Sequence, residues 1–228
     1  MLKEKLQSTN LKLYILLGII VLLFVVFGIY FLKDYYSYYR ELYAYRQRLV
    51  SALSSEQVIK PVYNVNDPYS GNPRSKIVIF EYSDFSCEAC RALQPIIQEV
   101  EKFYGENNIL IIWKDLPISI SPNNFMAHES AHCAFEQNAF KQYKSLLFEQ
   151  QGKFSKELFI ALAESLNLDT AKFTECLESE KYKDTVQINF EEALRIGLDS
   201  TPSLFINNQE VQYGFNFSNL RSIIESTK

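Results

Sequence analysis

Residues 76–91 read Lys76-Ile77-Val78-Ile79-Phe80-Glu81-Tyr82-Ser83-Asp84-Phe85-Ser86-Cys87-Glu88-Ala89-Cys90-Arg91. The run Ile77–Phe80 is continuously apolar and rich in β-branched residues, as expected of a strand buried on both faces. A C-x-x-C pair follows. Then Leu93, Ile96, Ile97, Val100 and Phe103 recur at helical spacing up to Gly105. Residues 109–113 supply a second buried strand. This β-α-β order implies a parallel strand pair with a right-handed crossover. It puts Cys87 where a buried strand turns into a helix.

A helix N-terminus carries roughly half a positive charge, which favours thiolate over thiol. Cys87 is therefore expected to be the exposed, low-pKa nucleophile. Cys90, one turn further in, is expected to be buried and to resolve a mixed disulfide. Zinc sites and plain structural disulfides also use C-x-x-C, but a zinc site needs more ligands, usually a second close pair. The remaining cysteines, Cys133 and Cys176, stand 43 positions apart.

Outward from this unit the pattern stays legible. Ser121-Pro122 reads as an N-cap followed by proline at the first helical position. The helix it opens has Met126, Ala127, Ala131, Ala134 and Phe135 on one face. Ser155 caps a helix carrying Leu158, Phe159, Leu162 and Leu166, and Asp169 caps another with Phe173, Cys176 and Leu177. A fourth carries Val186, Phe190, Ala193 and Leu194 and stops at Gly197. Leu204-Phe205-Ile206, a turn at Asn207-Asn208, and Val211 with Tyr213 form a hairpin. A last helix runs from about Asn216 to Ile224. The four-helix block, about 118–197, thus interrupts an α/β sheet domain spanning 61–228.

Residues 1–12 are an N-terminal tail. Leu13 to Leu32 is twenty residues without a charge, enough to span a bilayer. A cleaved signal peptide would have a shorter apolar region and a small-x-small site, which Gly28-Ile29-Tyr30-Phe31-Leu32-Lys33 does not offer. An uncleaved signal-anchor is expected, with the long C-terminal part outside the cytoplasm. Lysines and arginines balance closely across the span, so charge alone leaves its orientation open. Residues 33–60 hold six tyrosines between Tyr35 and Tyr45, suited to a membrane interface. The three–four spacing of Tyr35, Tyr38, Leu42, Tyr45, Leu49 and Ala52 reads as a helical stalk and allows a weak homodimer through it. Asn64 to Pro73 has the composition of a loop-like linker. The net charge of −4 gives no electrostatic footprint for nucleic acid.

The run Phe80–Arg91, taken with Gly197-Leu198-Asp199-Ser200-Thr201-Pro202-Ser203-Leu204-Phe205-Ile206, resembles the DsbA-like branch of the thioredoxin superfamily. Cys133-Ala134, Phe140, Leu146–Glu149 and Cys176–Ser179 resemble it too, and the likeness covers about 62–225. It implies a thioredoxin fold split by a helical insertion and a protein-disulfide oxidoreductase that needs no metal or cofactor. It implies that Pro202 is a cis-proline facing the dithiol, with the Thr201 backbone free to pair with a substrate strand. Glu81 matches the family's partly buried acid beneath the dithiol, which can accept the resolving cysteine's proton. Substrates would be reduced secreted or membrane proteins. A membrane oxidase of the DsbB or vitamin K epoxide reductase type would reoxidise the pair. Net reduction or isomerisation with the same residues is the alternative. The best-known member has Pro-His between its cysteines, where this chain has Glu88-Ala89, and a carboxylate beside the thiolate would weaken its oxidising power.

Two further features stand apart. Cys133 and Cys176 both fall on apolar helix faces, so in an oxidising compartment they are expected to bond, worth about 4 kcal/mol in the chain-entropy model. Two buried free thiols, or a second redox pair, are the alternatives. His128-Glu129-Ser130-Ala131-His132 spells H-E-x-x-H, which by itself would suggest a membrane-anchored zinc metallopeptidase with Glu129 as base. No third ligand with a recognisable motif follows, and the simpler expectation is a pair of helix-surface histidines. A thioredoxin-like adhesion or chaperone module would need no dithiol.

Overall fold

The computed structural model describes residues 60–119 and 121–227, together with Leu22, Phe27, Lys33 and Arg40, each helical. The chain divides into two units, Met1–Leu53 and Ser54–Lys228, and the second holds the fold described below. The expected span 13–32 and stalk 33–60 otherwise lie outside the described residues. Among the described residues no helix is long and apolar enough to cross a membrane.

A five-stranded sheet has the order β1-β3-β2-β4-β5, with β1 at Tyr69–Gly71, β2 at Ile77–Ser83, β3 at Ile109–Asp115, β4 at Ser203–Ile206 and β5 at Gln209–Glu210. β2 and β3 are parallel, as the crossover requires, and the other pairs are antiparallel. The crossover helix is α1, Glu88–Tyr104. Its Leu93, Ile97 and Val100 pack on Ile77, Ile79, Ile109 and Ile111, joined by Leu220 and Ile224 of α7, Phe217–Ser226. The opposite sheet face, with Phe80, Tyr82, Leu110, Ile112 and Phe205, packs on Ala193 of α6, Lys183–Arg195. β2 and β3 are buried along both faces, which is why both read as unbroken apolar runs.

The insertion differs from its sequence reading in one element. It has five helices rather than four: α2 at Pro122–Glu136, α3 at Phe140–Glu149, α4 at Lys156–Ser165, α5 at Thr170–Glu178, and α6. The additional α3 follows α2 after only three residues, and its N-cap Ala139 makes no side-chain capping bond. A start signal was therefore absent, although Phe140, Tyr143 and Leu147 bury one face. β1 lies in the stretch that read as linker; three residues are too short to display a period of two. It ends at Gly71, where φ is +87° and a Cβ would come within 2.0 Å of the Ile109 carbonyl oxygen. β5 is shorter than expected, and Tyr213 lies outside it and exposed.

Cys133 of α2 and Cys176 of α5 form a disulfide, with Cα atoms 5.9 Å apart, in the core of the insertion. Such buried bonds lie below about −300 mV, well under catalytic pairs. Stepwise reduction with mass mapping of alkylated thiols is expected to open Cys87–Cys90 first and to leave Cys133–Cys176 closed in mild reductant. Simultaneous opening of both pairs would contradict this.

Candidate active site

β2 ends at Ser83, and the chain turns through Asp84-Phe85-Ser86 into α1, whose N-cap is Cys87. The half-buried Cys87 sulfur accepts a hydrogen bond from the Cys90 backbone N–H at 3.3 Å. Its thiol in turn donates to the Thr201 carbonyl at 3.5 Å. The Thr201–Pro202 peptide is cis. So the loop before β4 lies against the first cysteine, bringing together residues 114 positions apart.

Cys90 is fully buried among Phe85, Trp113 and the insertion core. Burial pushes its thiol up to about 12, although the Ser83 and Thr201 hydroxyls beside it pull the other way. One sulfur is thus open to attack and the other is sheltered and held as a thiol.

Glu81 sits behind the pair and is fully buried. The Gln94 side-chain amide donates to its Oε1 at 2.7 Å and to the Cys90 carbonyl at 3.0 Å, linking the acid to the second cysteine's backbone. Lys144 of α3 reaches Glu81 Oε2 at 3.5 Å, with its ammonium 5.5 Å from the centre of the Trp113 ring. Glu88 points outward: its carboxylate is 86% exposed and pairs with Arg91 at 3.3 Å. Solvent therefore screens its field at the thiol more than its place next to Cys87 suggests.

The two histidines of the H-E-x-x-H run are not on the surface. Both are fully buried, a correction to the surface expectation. Nor do they share an open metal position, because both hold the same carboxylate. His128 Nδ1 lies 2.8 Å from Asp115 Oδ1, and His132 Nε2 lies 2.7 Å from Asp115 Oδ2. The Trp113 indole N–H and the Asn189 amide also donate to Asp115. Among the described residues no cluster of three His, Cys, Asp or Glu could hold a metal ion. The Glu129 carboxyl is pushed up to about 7, by burial first and then by Glu180.

On its other edge His128 faces Asp84, with Nε2 3.5 Å from Oδ1. Asp84 accepts from the Ser86 N–H at 2.8 Å, the Ser86 hydroxyl at 2.9 Å and the Ile118 N–H at 2.8 Å. It ties the cysteine turn to the loop after β3. Its carboxyl is held down at about 2 because hydrogen bonds and charge from His128, with the Ser86 N–H, outweigh its burial. Sequence reading passed over Asp84, Gln94 and Lys144. An aspartate three residues before a C-x-x-C was visible, but nothing local marks it as buried.

Residues 63–226 match the family model for thioredoxin. This chain belongs to the thioredoxin family. Its helical insertion recurs in solved structures. Oxidised BdbD from Bacillus subtilis superposes with a TM-score of 0.65 at 16% identity, over 74% of this chain and 97% of that one. The thiol-disulfide exchange protein DsbA2 from Wolbachia pipientis gives 0.66 at 19% identity, over 81% and 98%. Among curated sequences, Na(+)/H(+) antiporter NhaA 1 of Salinispora arenicola is 27% identical over 167 residues, 73% of this chain. The chain spans about a quarter of that relative's length.

Proposed function

We propose that this thioredoxin-family chain is a membrane-anchored, extracytoplasmic thiol–disulfide oxidoreductase that passes a Cys87–Cys90 disulfide to reduced secreted or membrane proteins. The observation that carries the reading is the asymmetry of the pair. Cys87 is accessible at a helix N-cap beside cis-Pro202, while Cys90 is buried and its thiol pushed up to about 12. A Rickettsia prowazekii relative provisionally named a protein-disulfide oxidoreductase, 23% identical over 70% of this chain and 61% of its own length, supports the activity.

A substrate thiolate attacks the Cys87 sulfur of the oxidised pair. The Cys87–Cys90 bond breaks, and Cys90 takes up a proton, for which Glu81 behind it is the proposed partner. Because burial keeps Cys90 protonated, it returns slowly to attack the mixed disulfide. The substrate's second thiolate has time to attack its own bonded sulfur, and Cys87 leaves as the thiolate. The substrate loses two electrons and the Cys87–Cys90 pair gains them. Thr201 would pair its backbone with the substrate strand. A DsbB-like or vitamin K epoxide reductase-like membrane oxidase would restore the disulfide, and the span 13–32 would keep the domain beside it.

Direction is read from the reduction potential. Ala89 has no donor for the Cys87 sulfur, where the Pro-His member of the family has an imidazole. A roughly ten- to thousandfold loss of support for the reduced pair lowers the potential by about 30–90 mV from about −120 mV. Glutathione equilibration is therefore expected to give about −210 to −150 mV. A value near about −270 mV, that of thioredoxin, would instead support net reduction.

A further inference from the structure

Besides the pairing of His128 with Asp84, one side chain of the helical insertion reaches the backbone of the turn that presents Cys87. Gln151 lies in the loop between α3 and α4. Its side-chain nitrogen donates to the Phe85 carbonyl at 2.8 Å and to the Cys87 carbonyl at 2.9 Å. Two carbonyl oxygens facing one amide group fix which end of that amide is the nitrogen, since its oxygen would repel both. The Cys87 carbonyl also accepts the first helical bond of α1, from the Arg91 N–H at 3.2 Å. One carbonyl therefore answers both to α1 and to the insertion.

We propose that Gln151 is a positioning residue for Cys87, through which the insertion holds the attacking sulfur at the helix N-terminus. The proposal rests on the thiol–disulfide reading of the site. Its chemistry is rotational. The direction of the Cys87 carbonyl is set by the Cys87 backbone dihedral ψ, at 121°. With that dihedral held, the residue stays non-helical, and its sulfur caps the N–H of Cys90. Phe85, held by the same amide, closes the turn from the other side. Without Gln151 both carbonyls must find water, and the Cys87 sulfur spends more time off the Cys90 N–H. Sulfur in a disulfide gains little from that N–H, whereas the thiolate gains most. Loss of the clamp thus disfavours the reduced pair and slows attack at Cys87, while leaving the insertion core intact.

The test uses the full-length chain in detergent. Gln151→Met keeps the shape and removes both donors, and Gln151→Glu places a carboxylate oxygen against the two carbonyls. Losing hydrogen bonds of this kind corresponds to about a three- to tenfold change. The Met variant is expected to be alkylated at Cys87 by iodoacetamide about three- to tenfold more slowly. Its glutathione equilibrium is expected to move by a similar factor toward the disulfide. The Glu variant is expected to exceed both effects. Wild-type rate and equilibrium in the Met variant, even with a lowered urea midpoint, would reduce Gln151 to a structural contact and overturn the proposal. Should the variants fail to fold, the side-chain amide protons of Gln151 in wild-type protein decide the matter by NMR. They are expected to shift between oxidised and reduced forms, and unchanged signals overturn the proposal. If wild-type protein exchanges no disulfides at all, the functional reading falls. If wild type and variants exchange equally, only the role of Gln151 does.

Discussion

Cys87→Ser is expected to abolish disulfide exchange, lowering the rate about a thousandfold or more. Cys90→Ser is expected to keep the first step and accumulate mixed disulfides through Cys87. The difference follows from access. Exposure decides which sulfur of this pair is attacked, although the buried Cys90 is the poorer leaving anion. Cys87 is half-buried with its sulfur at a helix N-cap, where a backbone N–H can support negative charge. Cys90 is sealed behind Phe85 and Trp113, with its thiol pushed up to about 12. A substrate cannot reach it, and it is rarely a thiolate near neutral pH. In the Cys90→Ser protein nothing inside the chain can release a substrate bound at Cys87. Trapping with substrate proteins followed by non-reducing electrophoresis reads both variants. Adducts formed through Cys90 in the Cys87→Ser chain would reverse the assignment.

His128→Ala is expected to be the most damaging change outside the dithiol, costing about 3–5 kcal/mol of a total that is typically about 5–15 kcal/mol. It removes a fully buried ring that lies between two buried carboxylates, Asp84 and Asp115. Each carboxylate would then be short of a partner in a region closed to water. The same pair makes stability depend on pH. Hydrogen bonding of the ring to the Asp115 and Asp84 carboxylates, with their charge, raises His128 to about 9 despite its burial. A group raised above its unfolded value of about 6.5 stabilises fully below that pH. That contribution disappears as pH climbs from about 6.5 through 9. Glu129, raised to about 7, adds a loss in the same direction between about 4.5 and 7. Asp84, held at about 2, stabilises above about 4 and loses its contribution as pH falls from about 4 toward 2. The oxidised protein, in which Cys90 does not titrate, is therefore expected to unfold at progressively lower urea from pH 6.5 to 9. His128→Gln is expected to flatten that slope, with loss of stability already at pH 6. An unchanged slope in the Gln variant would show that the histidine is neutral throughout.

The buried polar network explains why these residues matter together. Lys114, fully buried, donates to Asp67, Asn189, Glu192 and the Val62 carbonyl. Asn189 joins that cluster to Asp115. Asp115 leads through His128 to Asp84 and the cysteine turn. Hydrogen bonds thus run from near Val62 to His128, and the 3.5 Å pairing of His128 with Asp84 carries the polar network on to the cysteine turn.

What the amino-acid order determined by itself were the features whose causes are local. Ile77–Phe80 and Ile109–Trp113 are strands because both faces are covered, which leaves a continuous apolar run in the chain. Ser155 and Asp169 cap their helices as read, through side-chain oxygens that accept from backbone N–H groups three residues on. Cys87 and Cys90 were marked by their spacing at a strand-to-helix turn, and Cys133 and Cys176 by their places on apolar faces. Tertiary structure alone decided the rest. His128 and His132 have the spacing of a zinc helix, yet Asp115, delivered by β3 from 13 and 17 positions away, occupies both rings. α3 had no capping signal and is held by burial of Phe140, Tyr143 and Leu147 rather than by its ends. Glu88 stands next to Cys87 in the chain, but the first turn of α1 points its carboxylate to solvent and Arg91. Gln151 carries no sequence signal at all, because its role depends on a loop 64 and 66 positions away folding back onto two carbonyls. Period and capping are written in neighbouring residues; which buried charge meets which partner is set only when distant strands and helices pack.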